Sequence, residues 1–279
     1  MLVFIHINKS GGTTVTHILR SSYGLRHCQV EPWHARWTGP PFSADDLHRL
    51  RTLYPGLRSI AGHRIVGYVD LGERSSDLRY VTFLRDPLKS AASRFQYKVQ
   101  VSGKRDLVFE EWIQRDWTRN HQTKQIAGVD DLDEAIRVIR EKSIFVGLAE
   151  HFDESLVLMK GLVAGDLRIS YKPVNVARDK SLARDLLERE STRQLLIEAQ
   201  EVDLQLYEYA RRELYPTYRR EYGPSLESDV ERFGATQSGN FSHWNRSLSR
   251  LKHYGLYEPA LHLYRKGVSL AQARSVVPP

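Results

Sequence analysis

Two short stretches of this 279-residue chain carry side chains suited to holding an anion. The first is Phe4-Ile5-His6-Ile7-Asn8-Lys9-Ser10-Gly11-Gly12-Thr13-Thr14. A strand here enters a tight Gly-Gly turn, and a helix starts at two threonines. That geometry turns backbone N–H groups and the positive end of a helix dipole toward one point. Lys9 adds a mobile charge, and Ser10, Thr13 and Thr14 add hydroxyl donors. A Gly-Gly turn by itself is usually only a turn, but Lys, Ser, Gly, Gly, Thr and Thr in succession supply every type of phosphate donor. The order is not that of a nucleotide-hydrolysing P-loop, which needs G-x-x-x-x-G-K-[ST] with the Lys after the glycines. A small-molecule or nucleotide kinase is disfavoured on that ground. It would also need an acidic Mg²⁺ ligand on a second strand, and none is evident.

The second stretch is Val81-Thr82-Phe83-Leu84-Arg85-Asp86-Pro87-Leu88-Lys89-Ser90-Ala91-Ala92-Ser93. Arg85 ends a predicted strand, at the edge of the sheet where ligands of open α/β folds bind. Asp86 is placed to cap the following helix and Pro87 to occupy its first turn. Ser93 falls two turns on, on about the same face as the helix start. Arg85 and Ser93 can therefore pinch one phosphate between a guanidinium fork and a hydroxyl. R-D-P alone is a weak signal, because Asp-Pro before a helix is a common cap.

The elements that must position these residues alternate along the chain. Leu2–Ile7 reads as a buried strand, followed by a helix from about Thr13 to Ser22. Further strands are expected at Arg58–Ala61, Arg79–Leu84, Ser143–Leu148 and Leu167–Tyr171. Between them lie helical patterns at Leu88–Val101, Phe109–Trp117, Asp131–Glu141 and Phe152–Leu162. Strands separated by helices of this length imply a parallel sheet covered on both faces, an α/β fold of three α/β/α layers. Lys180–Tyr215 continues as one or two helices. Residues 224–241 have the Pro, Gly, Ser and Asn content of a linker, and two short helical patterns follow, Trp244–His253 and Glu258–Lys266. The division expected is a domain over 1–223 with a linker and helical appendage over 224–279.

Taken together, the two anion motifs resemble those of sulfotransferases that use 3′-phosphoadenosine 5′-phosphosulfate (PAPS). The resemblance is closest to the carbohydrate, heparan sulfate-type group called family 2. It continues through Ala61-Gly62-His63, Asn120–Gly128, Phe145–Leu156 and Asp203–Tyr207, so it covers about residues 1–222. Asn8 stands where that family usually has Pro, and Lys124 where it often has Arg. The resemblance implies a P-loop-like sulfotransferase fold and transfer of a sulfuryl group from PAPS to a hydroxyl of a carbohydrate-type acceptor. It implies that Lys9, Ser10, Gly11, Gly12, Thr13 and Thr14 hold the 5′-phosphosulfate and that Arg85 and Ser93 hold the 3′-phosphate. It points to His63 as general base, with Lys9 stabilising the leaving phosphate; a neutral-range imidazole suits that task. His6 is expected to be structural. Gln122, Thr123 and Lys124 belong to the pattern without a role read from chemistry. Trp33, His34, Arg36 and Trp37 form either a sugar-stacking loop or the cover of a core edge. An inactive glycan-binding relative would be expected to have lost Lys9 or Arg85, and both are present.

Composition narrows the partners. The chain has 41 Lys+Arg against 34 Asp+Glu, a net charge of +7, and 41% hydrophobic residues. Such an excess suits anionic ligands. The basic residues are spread out, with Arg-Arg pairs at 211–212 and 219–220 as the densest cluster, so a nucleic-acid partner is not expected. No apolar run reaches the roughly 20 residues of a membrane span, and Leu2–Ile7 is too short for a signal segment. One cysteine, Cys28, excludes a disulfide framework and a Cys-based zinc site, and the 11 histidines show no metal-ligand spacing. A metal-independent enzyme of the cytoplasm is the expectation.

Overall fold

The computed structural model describes residues 1–33, 39–72, 78–171, 179–236 and 242–275, with 268–275 described through their helical backbone. Five short segments form the sheet: β1 (Leu2–Ile5), β2 (His27–Gln29), β3 (Ser59–Gly62), β4 (Arg79–Leu84) and β5 (Phe145–Leu148). Their order is β2-β3-β1-β4-β5, and every ladder is parallel. Strands covered on both faces need continuous apolar runs, and LVFI of β1 and FVGL of β5 are buried at every residue. Ile5 at the end of β1 lies opposite Gly62 of β3 on one side and Thr82 of β4 on the other.

That order decides where a ligand goes. From β1 the chain runs to the β2–β3 side, and from β4 it runs to β5. The winding direction therefore reverses between β1 and β4, and the loops beyond their carboxyl ends part to leave a crevice. Both anion motifs begin at those two ends.

Helices flank the sheet as α1 (Gly12–Tyr23), α2 (Ala44–Leu53), α3 (Pro87–Gln100), α4 (Phe109–Ile113), α5 (His121–Ala127), α6 (Leu132–Glu141) and α7 (Phe152–Leu162). The rest follow as α8 (Ser181–Glu188), α9 (Glu190–Ala199), α10 (Glu201–Tyr209), α11 (Tyr215–Tyr222), α12 (Leu226–Thr236), α13 (His243–Lys252) and α14 (Glu258–Ser275). The architecture is a three-layer α/β/α fold with C-terminal helices. A separate apolar cluster, built from Phe95, Phe109, Trp112 and Leu196 among others, ties α3 and α4 to α8 and α9.

Three expectations are corrected. Leu167–Tyr171 is not a strand, although Leu167 and Ile169 are buried. The N–H and C=O of Arg168 both bond to the Ser22 hydroxyl of α1, so the groups a ladder would use are already taken. The fifth strand is instead the three-residue edge β2. The expected linker contains α12, whose Leu226 and Phe233 join the main core, as do Tyr257 and Leu261 further on. The helix expected over Phe109–Trp117 stops at Ile113.

Candidate functional site

The turn after β1 is shaped by what cannot fit beside it. Gly11 adopts φ +82°, and a Cβ there would sit 2.9 Å from the ring of Phe152. A Cβ on Gly12 would lie 2.0 Å from Cδ2 of His6, inside the imidazole. Gly12 thus lets the backbone close over the His6 ring as α1 begins, and Gly11 lets it pass the Phe152 ring. Lys9 itself has φ +65°, a left-handed conformation that costs a non-glycine residue on the order of 1 kcal/mol and tends to persist at functional sites. The first N–H groups of any helix lack an intrahelical acceptor. Among the described residues the N–H groups of Ser10, Gly11, Gly12 and Thr13 make no backbone bond outside this turn and helix. The positive end of the α1 dipole therefore lies at this turn.

Arg85 is locked onto the same turn. Its Nη1 donates to the Lys9 carbonyl at 3.0 Å. The side chain of Gln122, fully buried at the start of α5, holds the backbone of Arg85 from both sides. Its Oε1 accepts from the Arg85 N–H and its Nε2 donates to the Arg85 carbonyl, each at 2.9 Å. The same Oε1 accepts from the buried Ser10 hydroxyl at 3.5 Å. One amide therefore fixes the relative position of the two anion motifs. Lys9 and Arg85 bring two cations together, and no carboxylate pairs with either among the described residues. Burial, and then the neighbouring guanidinium, hold the Lys9 ammonium below the ordinary lysine range. Such a pair is relieved by an anion placed between the charges.

Helix α3 supplies the third wall. The Ser90 hydroxyl donates to the Asn8 carbonyl at 3.5 Å, and the Tyr97 ring lies 4.8 Å from Nζ of Lys9. Ser93 is three residues after Ser90 and four before Tyr97, so it shares their face toward the turn. Asp86 caps this helix as expected, accepting from the Lys89 N–H at 2.9 Å.

His63 lies just beyond β3. Its Nδ1 is 3.0 Å from the His6 carbonyl oxygen. A carbonyl only accepts, so Nδ1 carries the proton and Nε2 keeps its lone pair. The ring packs on His6 at a centroid distance of 4.0 Å. His6 in turn lies under Gly12, which puts the His63 ring one imidazole away from the turn. Burial lowers the pKa of His63, with the bond to the His6 carbonyl opposing it. Burial lowers His6 much further, and His63 adds to that shift. Both rings are biased toward the neutral form, and Nε2 of His63 keeps a lone pair able to take a proton.

Helix α5 carries more of the site than its sequence pattern indicated. Beyond Gln122, the Gln125 Nε2 donates to the carbonyls of His63 at 2.8 Å and Ile65 at 2.9 Å. The helix is anchored by Asp203 of α10, which accepts from the N–H groups of Gln122 at 3.0 Å and Thr123 at 2.7 Å and from the Thr123 hydroxyl at 2.7 Å. Burial raises the Asp203 carboxyl above the usual range against those bonds. Lys124, by contrast, turns away to Asp116 and Asp130 at 2.8 and 3.2 Å. Trp33 is buried against Tyr257 and Tyr264, so it covers a core edge and stacks on no sugar. His34, Arg36 and Trp37 lie outside the described residues. The Cys28 thiol is buried, which pushes its pKa up to about 12. Among the described residues no cluster of three His, Cys, Asp or Glu side chains could hold a metal ion, and no helix is long and apolar enough to cross a membrane.

No protein-family model matches the chain, and no curated protein matches it.

Proposed function

We propose that this chain is a sulfotransferase that moves a sulfuryl group from PAPS to a hydroxyl of a carbohydrate-type acceptor. One observation carries the reading. At the reversal point of a parallel sheet, the N-terminus of α1 and the Lys9–Arg85 cations, which no carboxylate pairs among the described residues, lie near an imidazole whose Nε2 lone pair is available.

The residues fit the group. Ser10, Gly11, Gly12, Thr13 and Thr14 would hold the 5′-phosphosulfate, in a turn whose path needs both glycines, since a Cβ on Gly11 would strike Phe152 and one on Gly12 would strike His6. Arg85, with its remaining guanidinium donors, and Ser93 would hold the 3′-phosphate. The bound cosubstrate supplies an activated sulfuryl group whose bond to a phosphate oxygen breaks on transfer. Sulfuryl transfer is akin to phosphoryl transfer, with a loose in-line transition state, so the protein's task is positioning and charge stabilisation. Lys9 and the N-terminus of α1 meet the negative charge that grows on the departing phosphate. His63 Nε2 takes the proton of the acceptor hydroxyl. Its Nδ1–H stays on the His6 carbonyl, which spreads the imidazolium charge and holds the ring in register.

Titration calorimetry with 3′-phosphoadenosine 5′-phosphate, adenosine 5′-phosphate and ATP tests the reading. The expected result is tightest binding of the nucleotide with a 3′-phosphate. Tighter binding of ATP in the presence of Mg²⁺, or equal binding with and without the 3′-phosphate, overturns it.

A further inference from the structure

On the far side of α1 from the sheet lies a second concentration of charge, joined to exposed apolar side chains. Helix α13 packs on α1 through Asn245, whose amide donates to the Ser21 carbonyl at 2.9 Å, and through the buried Ser249. Its outward face therefore carries Trp244, Leu251 seven residues on, and Tyr254 three residues after that. These are 73%, 69% and 54% exposed. Lys252 donates to the carbonyl of Leu25, which is itself exposed, so the apolar ridge extends onto the turn after α1.

Around this ridge the charge has one sign. Residues 12–26 contain Arg20 and Arg26, residues 243–257 contain Arg246, Arg250 and Lys252, and neither stretch has an Asp or Glu in a chain that holds 34. Arg20, Arg246 and Arg250 lie close enough to hold the pKa of His17 down to about 4, after burial. No carboxylate pairs with Arg246 or Arg250 among the described residues. The nearest acidic groups sit at the margins: Asp166 against Tyr23 and Arg58, Glu31 against Arg265, and Glu258 at the start of α14 against His253.

We propose that this face docks the protein on an anionic lipid bilayer. An interfacial segment needs aliphatic and aromatic side chains to enter the headgroup boundary and flanking cations to meet lipid phosphates and carboxylates. Trp244 and Tyr254 suit the boundary, Leu251 and Leu25 the acyl edge, and Arg20, Arg246 and Arg250 the headgroups. A second copy of the chain is a poorer occupant, because a two-fold contact would set these unpaired cations against themselves. Nucleic acid would satisfy the arginines but leave Leu25 and Leu251 without a role. The segment lies on the membrane surface and does not cross it. The inference stands on its own observations and does not depend on the transfer chemistry.

The test is co-sedimentation with phosphatidylcholine vesicles and with phosphatidylcholine–phosphatidylserine vesicles, alongside tryptophan emission. Binding is expected only with phosphatidylserine, weakening as salt rises, with a blue shift of emission that Trp244→Ala removes. Each arginine near such a surface contributes about 5-fold in affinity, so Arg246→Gln with Arg250→Gln should weaken binding roughly 25-fold. These side chains are exposed or half-buried, and unchanged thermal melting verifies that the variants fold. Failure to bind phosphatidylserine vesicles, full binding by the variants, or a dimer in analytical ultracentrifugation that Trp244→Ala and Leu251→Ser dissolve without any vesicle binding, each overturns the proposal.

Discussion

Lys9 with Arg85, and Arg20 with Arg246 and Arg250, are two groups of cations that no carboxylate pairs among the described residues. What surrounds the charge separates them. Around Lys9 and Arg85 the backbone closes over His6, the N-terminus of α1 begins, and Gln122 joins Arg85 to Ser10. The arginines of α1 and α13 stand near the exposed Trp244 and Leu251, with Arg20 bonded to Gln29 at 2.6 Å. Fixed donors around a crevice select a small anion of one shape; guanidinium groups beside exposed apolar side chains accept an extended anionic surface. Charge alone distinguishes neither.

Substitutions at the first cluster that touch the reacting atoms should have the largest effects. On the proposed chemistry, Lys9→Ala should lower turnover by about 10²–10³-fold while nucleotide binding weakens less, since its charge is met mainly in the transition state. Arg246→Gln should leave turnover on a soluble acceptor unchanged. Near wild-type turnover of Lys9→Ala at saturating PAPS breaks the contrast between the clusters.

His63→Ala should cost about 10²–10⁴-fold in turnover. The wild-type rate should rise with pH along a limb centred below 6.5, because burial lowers the His63 pKa. The limb should flatten in His63→Ala and persist in His6→Ala, measured as kcat against pH. The reverse pattern exchanges the roles of the two rings.

Arg85→Ala should act on affinity. Loss of a charge-assisted contact to the 3′-phosphate should cost about 2–3 kcal/mol, and adenosine 5′-phosphate binding should hardly change. Calorimetry on both nucleotides reads this directly. An equal loss for both would mean that Arg85 serves only to hold the Lys9 carbonyl.

A smaller, global effect concerns acid. His6, His17, His27, His63, His121 and His253 all have pKa values lowered in the fold, chiefly by burial. Unfolded histidine binds protons near pH 6.5, so between that pH and the folded pKa the unfolded state holds more protons. Stability is therefore full above about pH 6.5 and falls as the solution is acidified. For His17 and His253, lowered to about 4, the loss at pH 5 is about 2 kcal/mol each. Thermal melting at pH 7 and pH 5 measures it; an unchanged Tm would show that these rings are not held neutral.

The strand-turn-helix at residues 2–23 and the strand-cap-helix at 79–100 were legible because their signals are local. A run of apolar residues, two glycines, and Asp-Pro each constrain the backbone within a few positions. Ser43 and Asp46 form a capping box, an equally local signal, at the start of α2. β2 had no such signal: His27-Cys28-Gln29 becomes a strand only because the edge of β3 offers it a ladder, while the more strand-like Leu167–Tyr171 loses its ladder to Ser22. The site divides the same way. Lys9 and Arg85 are legible from residue type and place in the chain, and His63 from the resemblance to the sulfotransferase family, but nothing within several residues of Gln122 says that its amide will bridge Arg85 and Ser10, or that Asp203 will cap α5. Those are contacts between residues distant in sequence, set by which helix packs on which strand end. Local backbone chemistry therefore determined the donors, and only the order of strands in the sheet brought them to one crevice.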